Sequence, residues 1–197
     1  NWVLMPLIPY NPYENHAPAG VFRPLPPDMS DSHYLGTDTT SRDILARLFY
    51  GTRIALLFAM GFMVAVYGIG IAIGCAMGYF GGVFDLLFQR LIEIWSNIPF
   101  LYMVIIVFSV IPSSLSVPAR IGILLTVMVL FSWTGMTYNM RTETYKEKSR
   151  DYVAAARILG ASDTRIVFRH ILPNVLATLV TFMPFVVVSA IGSITAM

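Results

Sequence analysis

Charged side chains are scarce in this sequence. Only 12% of its 197 residues are Asp, Glu, Lys or Arg, whereas 56% are hydrophobic. A soluble domain usually carries about 25% charged residues, so the deficit argues against an ordinary globular protein and indicates a chain surrounded by lipid. The net charge of +2 provides no strongly basic surface, and nucleic acid is therefore not an expected partner.

Groups that could carry out chemistry are also few. The single cysteine, Cys75, excludes an intrachain disulfide. The sequence contains no glycine-rich phosphate-binding loop and no nucleophile–base pair, and its three histidines are scattered. We therefore expect no enzyme active site in this chain: no catalytic residue, no cofactor and no metal site.

Four long stretches contain no formally charged residue. They are the 31 residues between Arg53 and Asp85, the 26 between Glu93 and Arg120, the 20 between Arg120 and Arg141, and the 27 after His170. A helix needs about 20 mostly apolar residues to cross the hydrocarbon core, and lipid offers no partner to open backbone groups. We therefore predict an all-α, polytopic transmembrane helix bundle with four spans, at about 54–79, 88–111, 121–140 and 176–197.

Residues 1–53 differ from the rest of the chain. They contain seven of the 12 prolines, which excludes a long helix before about Ser30. At the end of this segment, an amphipathic pattern predicts an interfacial helix that runs into the first span, with Ile44, Leu45, Leu48 and Phe49 on its apolar face. The first residue is not Met and the last residues are apolar, so we expect a fragment of a longer chain.

The placement of basic residues predicts the orientation in the membrane. Residues 141–175 contain seven Arg and Lys against four acidic residues, whereas 1–53 contain four Arg against five acidic residues. Loops rich in Arg and Lys stay in the cytoplasm. We therefore predict that 141–175 is a cytoplasmic loop and that 1–53 is a periplasmic segment of an inner-membrane protein.

Two other classes of membrane protein remain as alternatives. An ion-coupled secondary transporter is expected to carry acidic or histidine side chains in the middle of its spans, and the four predicted spans have none there. A membrane-anchored interaction protein would need a recognisable soluble output domain, which this sequence does not show.

Residues 150–173 predict a short helical hairpin in the cytoplasmic loop. The segment 151–159 is rich in good helix formers, and Gly160 follows as a residue that can end a helix with positive φ. Ser162 and Asp163 are typical of the start of a second helix, which we expect over about 163–171 and ended by Pro173. Such a helix–glycine–helix module suits docking into a groove on another protein. The alternative is an amphipathic hairpin that lies on anionic lipid.

One further pattern concerns packing. Gly70, Gly74 and Gly78 are spaced four residues apart and so lie on one face of the first predicted span. Small residues at this spacing allow two helix backbones to approach closely. We interpret the three glycines as a packing surface rather than a binding site.

The predicted hairpin also carries a family resemblance. Its sequence Ala154-Ala155-Ala156-x3-Gly160-x9-His170-Ile171-Leu172-Pro173 resembles the EAA loop of ABC-importer permeases, EAA-x3-G-x9-I-x-L-P. It departs from that pattern at Ala154, where the family name has Glu, and at His170, where it has Ile. The departure at Ala154 argues against a salt bridge from that position.

Two other motifs resemble one branch of these permeases. His33-Tyr34-Leu35-Gly36-Thr37-Asp38-x3-Arg42-Asp43 is similar to the external segment of dipeptide, oligopeptide and nickel permeases, with Ser41 where many members have Gly. Tyr79-Phe80-Gly81-Gly82-x2-Asp85 is similar to their next cytoplasmic turn. With the region Thr181–Pro184, the sequence resembles most the permeases of Yej-type peptide and microcin C transporters.

The resemblance implies a transport subunit. In that family the loop couples the permease to the ATPase, which here implies contacts from Ala154, Ala155, Ala156, Arg157, Gly160, Ala161, Ser162, Asp163, Leu172 and Pro173. The implied partners are a second permease subunit, cytoplasmic ATPase subunits that bind ATP and Mg²⁺, a periplasmic solute-binding protein and membrane lipid. The family also implies one span before residue 1 and one after residue 197, with peptides, nickel or another small solute as cargo.

Overall fold

The computed structural model describes residues 8–15, 24–112 and 114–195. Within these residues the structure is helical and has no β-strand, only isolated bridges between Asp28 and His33 and between Thr37 and Asp43. The helices are α1 (Ile44–Phe80), α2 (Gly82–Ser96), α3 (Phe100–Val110), α4 (Val117–Lys148), α5 (Asp151–Ile158), α6 (Asp163–Arg165), a π-helix (Ile166–Ile171), α7 (Leu172–Val180) and α8 (Met183–Thr195). The chain divides into two compact units, Asn1–Leu57 and Phe58–Met197.

In the first unit, Asp38 organises the turn that precedes α1. Its carboxylate accepts hydrogen bonds from the N–H groups of Thr40 (2.8 Å) and Arg42 (3.0 Å) and from the Thr40 hydroxyl (2.7 Å). It also pairs with Arg47. The N–H of Arg42, followed by the Thr40 hydroxyl, holds the pKa of Asp38 well below its usual range. The carboxylate therefore stays charged and keeps the turn closed.

The external motif around this turn is a folded structural element. His33 is buried, and its Nδ1 lies 2.8 Å from a carboxylate oxygen of Asp43. The other oxygen of Asp43 accepts from the N–H of Ala46 (2.7 Å), as a helix N-cap does. Ser41 has a φ of +57°, a conformation that glycine adopts more readily. A glycine at this position would therefore adopt the turn with less backbone strain.

Two helices of the structure are long and apolar enough to cross a membrane alone, α1 and α4. Two bent pairs can each make a further span: α2 with α3, at an angle of 66°, and Asp163–Val180 with α8, at 54°. The prediction of an all-α bundle is confirmed. With each bent pair taken as one span, the four predicted spans overlap α1, the pair α2–α3, α4 and the pair that ends in α8.

Prolines account for both bends. A proline lacks the N–H that continues a helix, and it disfavours helical geometry in the residue before it. Pro99 follows the end of α2, with a φ of −67° and a ψ of 113°, and α3 begins at the next residue. Pro184 lies in the first turn of α8, just after the break at Thr181 and Phe182. The predicted spans at about 88–111 and 176–197 therefore each contain a bend beside a proline, at Pro99 and at Pro184.

The helix boundaries also differ from the predicted ends of the spans. α1 begins at Ile44 and is continuous, so the predicted interfacial helix and the first span are one element. α4 continues to Lys148, beyond the predicted end at 140, and Lys146 pairs with Glu143 at 2.6 Å in its last turns. Hydropathy marks where the membrane ends, whereas a helix ends where its backbone bonding stops.

The glycine stripe packs α1 against α4. A Cβ atom added at Gly74 would lie 2.5 Å from the carbonyl oxygen of Thr137, and one at Gly78 would lie 2.6 Å from that of Arg141. At Gly70 it would meet the side chain of Met136 at 2.5 Å. The packing interpretation of this stripe is confirmed, because only glycine lets the two backbones come so close.

Candidate functional site

The predicted hairpin is present and lies within the second unit. α5 ends at Ile158, and Gly160, two residues later, has a φ of +79°. The N–H of Ala161 donates to the carbonyl of Ala156 (3.0 Å) and that of Gly160 to the carbonyl of Arg157 (3.0 Å). These two bonds form a Schellman motif, which requires a left-handed residue at Gly160. The Ser162 hydroxyl then caps α6 by accepting from the N–H of Arg165 at 3.4 Å.

The hairpin has a packed inner face and an open tip. Val153 and Ala156 are buried on the inner side, together with Ile166 and Ile171 of the second arm. At the tip, Ile158 and Leu159 are each 86% exposed, and nothing lies within 4 Å of a Cβ added at Gly160. Two large aliphatic side chains thus lie next to a backbone turn with no partner among the residues the structure describes.

Tyr79, at the end of α1, holds both arms of the hairpin. Its hydroxyl donates to Asp163 Oδ1 (2.5 Å) and accepts from Arg157 Nη2 (3.3 Å). Lys148, the last residue of α4, donates to the carbonyl of Tyr79 and lies 5.5 Å from the centre of its ring. The tyrosine itself is only 3% exposed. One buried side chain therefore joins α1, the end of α4 and the two arms of the hairpin.

Tyr152 makes a second connection on the other side of the hairpin. Its hydroxyl donates to Glu147 Oε2 at the end of α4 (2.5 Å) and accepts from Asn174 Nδ2 in α7 (3.0 Å). Burial, and then the bond to Glu147, raise the pKa of the Tyr152 phenol, so it stays a neutral donor. These contacts join α4, α5 and α7.

The sequence pattern predicted that the second arm ends at Pro173, and this prediction was wrong. The helix continues from Asp163 to Val180, with the π-helix immediately before Pro173, where the N–H of Leu172 bonds to the carbonyl of Val167. A π-turn shifts the bonding register by one residue, and Pro173 then occupies the first turn of α7, where its missing N–H is tolerated. The carbonyl of His170 accepts from Asn174 Nδ2 at 2.9 Å. The second arm of the hairpin therefore continues without a break into α7. It forms the first part of the last bent pair.

An ion pair ties the preceding turn to the same region. Arg141 of α4 donates from Nε and Nη2 to the two carboxylate oxygens of Asp85 in α2, at 2.5 and 2.6 Å. The turn between α1 and α2 is made by Gly81 and Gly82, both with positive φ (65° and 58°). A bidentate arginine–carboxylate pair fixes orientation as well as distance. The pair therefore links α2 firmly to the end of α4.

The predicted coupling residues fall into two groups. Ala154, Ala155 and Gly160 lie exposed toward the tip, and Pro173 is exposed at the start of α7. The others have contacts within the fold: Ala156 is buried, Ala161 and Leu172 are half-buried, Ser162 caps α6, and Arg157 and Asp163 bond to Tyr79. The sequence analysis did not assign Tyr79, Lys148, Tyr152 or Asn174 to the site, although Tyr79 opens one of the quoted motifs.

Among the described residues, no group of three or more His, Cys, Asp or Glu side chains could hold a metal ion. At the base of the hairpin, Arg157 and Asp163 both bond to the hydroxyl of Tyr79. The arrangement is therefore a rigidly held element with a free apolar tip.

Residues 70–197 match the protein family described as "Binding-protein-dependent transport system inner membrane component". This match covers more than half of the chain and includes α4, the hairpin and α8. The chain belongs to this family. It is therefore an inner-membrane permease component, as the resemblance of its motifs predicted.

Known relatives of this permease agree with the family match. It is 40% identical over 169 residues to the peptidoglycan transport system permease protein YejE of Agrobacterium fabrum, covering 86% of this chain and 43% of the relative. It is 38% identical to the inner membrane ABC transporter permease protein YejE of Escherichia coli, covering 89% and 50%. It is also 36% identical to the dipeptide transport system permease protein DppC of Haemophilus influenzae, covering 96% and 63%. The chain thus spans about half the length of such relatives.

Removing the Tyr79 hydroxyl should loosen the hairpin without unfolding the permease. Tyr79→Phe keeps the packed ring but removes the bonds to Arg157 and Asp163, each worth about 1 kcal/mol or more. We expect the assembled transporter to hydrolyse more ATP per solute imported. Tyr67→Phe is the matched control, because Tyr67 is another buried tyrosine of α1 whose hydroxyl donates to the carbonyl of Leu179 (3.0 Å). If both variants change the ratio of hydrolysis to uptake equally, Tyr79 does not position the hairpin.

Proposed function

We propose that this permease is a translocation-pathway subunit of an ATP-driven importer of peptides or peptide-like solutes. It binds no nucleotide itself. ATP and Mg²⁺ are bound by separate cytoplasmic ATPase subunits, and a second permease subunit completes the pathway. A periplasmic solute-binding protein delivers the cargo, as the family description implies by its words "binding-protein-dependent".

The observation that carries this proposal is the shape of the hairpin. Its tip exposes Ile158 and Leu159 (86% each), while its base is held by Tyr79 and Tyr152. An exposed apolar pair on a rigid support is suited to seat in a groove of another protein. A hairpin that rested on lipid would have no need of connections through Tyr79 and Tyr152 to the neighbouring helices.

The same contacts suggest how ATP could drive the spans. The hairpin follows the end of α4 after two residues and leads without a break into α7, which a 54° bend separates from α8. When the ATPase subunits close, they would move the tip, and the connections at Tyr79 and Tyr152 would transmit the motion as a rigid lever. The spans would then exchange inward-facing and outward-facing states.

The proposed cargo rests on the relatives. The relatives include permeases named for dipeptide, oligopeptide and peptidoglycan transport. Each of these cargoes contains peptide bonds. A peptide or peptide-like solute is therefore the class that we assign to this permease.

The orientation follows from the charges. We place 141–175 in the cytoplasm and 1–53 in the periplasm, because basic loops remain inside. In a Cys75→Ala background, a Ser149→Cys thiol should react with an impermeant reagent only after the inner membrane is permeabilised. A Ser32→Cys thiol should react when the outer membrane alone is permeable. The reverse pattern of accessibility would overturn the orientation.

A charge at the tip tests the docking. Ile158→Asp in the full-length permease should reduce co-purification of the ATPase subunit by about tenfold, because it places a carboxylate in an apolar groove. Val83→Asp is the matched control, since Val83 is a 73% exposed aliphatic residue on the other turn that we place in the cytoplasm. It should keep the ATPase bound. If Ile158→Asp retains the ATPase and imports at the normal rate, the tip is not the docking element.

A further inference from the structure

A groove opens within the second unit between α1, α4 and α8. Its volume is about 300 Å³. Aromatic side chains form part of its wall, with Phe62 from α1, Phe182 from the break before α8 and Phe185 from α8. The groove also contains Ser132 and Asn139 of α4 and Ser189 of α8. These three polar side chains lie in segments that contain no formally charged residue.

Their hydrogen bonding sets them apart from the other polar residues of the spans. The hydroxyls of Thr126, Thr137 and Thr142 each donate to a carbonyl of their own helix at 2.9 Å. Such bonds satisfy a hydroxyl even against lipid. In the part of the chain that the structure describes, the side chains of Ser132, Asn139 and Ser189 make no hydrogen bond. Hydrocarbon is a poor surrounding for an open amide and two open hydroxyls, so this face is not explained by contact with lipid.

The polar residues that line the groove from α4 are arranged along the axis of that helix. Ser132 lies near the middle of the charge-free stretch 121–140, and Asn139 lies at its end next to Arg141. Residues seven apart share a helix face and are separated by about 10 Å along the axis. Gly135, between them, also lines the groove. The stripe therefore runs from mid-span toward the end of α4 that carries the hairpin.

We propose that this groove is the part of the translocation pathway contributed by this permease, and that it accepts solutes with neutral amide groups and apolar side chains. The proposal rests on the transport function proposed above. An asparagine amide both donates and accepts hydrogen bonds, as a peptide bond does, and the phenylalanines provide contacts for apolar side chains. No formally charged residue lines the groove. A solute is thus bound weakly enough to leave, as a pathway requires.

Access by water tests the assignment. In the full-length permease with Cys75→Ala, assembled with its partner subunits in proteoliposomes, we would compare two groove variants, Ser132→Cys and Ser189→Cys, with two controls. The controls are Leu130→Cys and Val188→Cys, at exposed positions on the same helices (47% and 69%) that do not line the groove. The groove thiols should react with methanethiosulfonate ethylsulfonate about tenfold faster or more, because only a hydrated thiol ionises readily. Equal rates would overturn the proposal. Reaction in the isolated permease with protection in the complex would also overturn it, since the second subunit would then cover this face.

Uptake of a defined peptide tests the ligand class. Asn139→Leu should reduce ATP-driven uptake of radiolabelled trialanine by about fivefold or more, with ATP hydrolysis retained, and Asn139→Gln should restore most of it. Normal uptake by Asn139→Leu, or no rescue by glutamine, would overturn the role of the amide. If the parent permease with Cys75→Ala imports no peptide at all, the proposal of peptide import is wrong. The rates of thiol modification still test the groove in that case, because they are measured separately from uptake.

Discussion

Gly160→Val should abolish most solute uptake while the permease still inserts and folds. Gly160 has a φ of +79°, and a residue other than glycine costs on the order of 1 kcal/mol in this region, more if it is β-branched. Nothing lies within 4 Å of the added Cβ, so the cost is backbone strain alone. That strain is relieved by moving Ala161 and opening the Schellman motif, which displaces the tip. We expect uptake in proteoliposomes to fall on the order of tenfold or more, because a small misplacement can have a large effect on rate.

The control for this variant uses the same position. Asparagine tolerates positive φ better than other non-glycine residues, so Gly160→Asn should keep the turn and most of the uptake. Membrane insertion and the amount of folded protein should be near normal for both variants. If Gly160→Val imports at the normal rate with its ATPase bound, the hairpin does not couple ATP hydrolysis to transport, and the lipid-surface interpretation gains support.

Gly74→Ala should destabilise the second unit itself. The new methyl group would lie 2.5 Å from the carbonyl oxygen of Thr137 and 2.7 Å from the Cβ of Met140, which are atoms that cannot rotate away. Helices α1 and α4 must then separate along the stripe, and overpacking of this kind costs about 1–3 kcal/mol. We expect a clear loss of folded protein after detergent extraction, measured by size-exclusion chromatography and by thermal unfolding.

The same helix provides the control for Gly74→Ala. Gly68 also lies in α1, but nothing lies within 4 Å of a Cβ added there. Gly68→Ala should leave the folded amount unchanged or slightly raised, because alanine is the better helix former. If the two variants are equally stable, the close approach of α1 and α4 is not what holds these helices together.

The family relation and the hairpin could be predicted from local features of the sequence. Helix formers before Gly160 and a capping residue after it act within a few residues of one another, so the positive φ and the start of α6 followed from the pattern. The roles of Arg157 and Asp163 could not be predicted in the same way. Both bond to Tyr79, which precedes them by 78 and 84 residues, and no spacing rule connects such positions.

Prolines show a similar limit. The sequence marks each proline as a place where helix bonding is interrupted, yet it does not say how the chain responds. Pro99 and Pro184 accompany bends of 66° and 54°. At Pro173, by contrast, the preceding π-helix shifts the hydrogen-bonding register, and the second arm of the hairpin continues as a helix. The difference depends on surroundings: the carbonyl of His170 finds a donor in Asn174, and the buried Ile166 and Ile171 hold both sides of the π-helix in the core.

The sequence by itself determined that this chain lies in a membrane, how many apolar stretches it has and where the hairpin of α5 and α6 turns. These properties depend on local composition and on the conformational freedom of single residues. Only the tertiary structure decided which helices meet at the glycine stripe, which side chains hold the hairpin and which polar groups share a groove. Those outcomes depend on distances between segments far apart in the chain, because a hydrogen bond or a close backbone approach exists only once both partners have been folded into place.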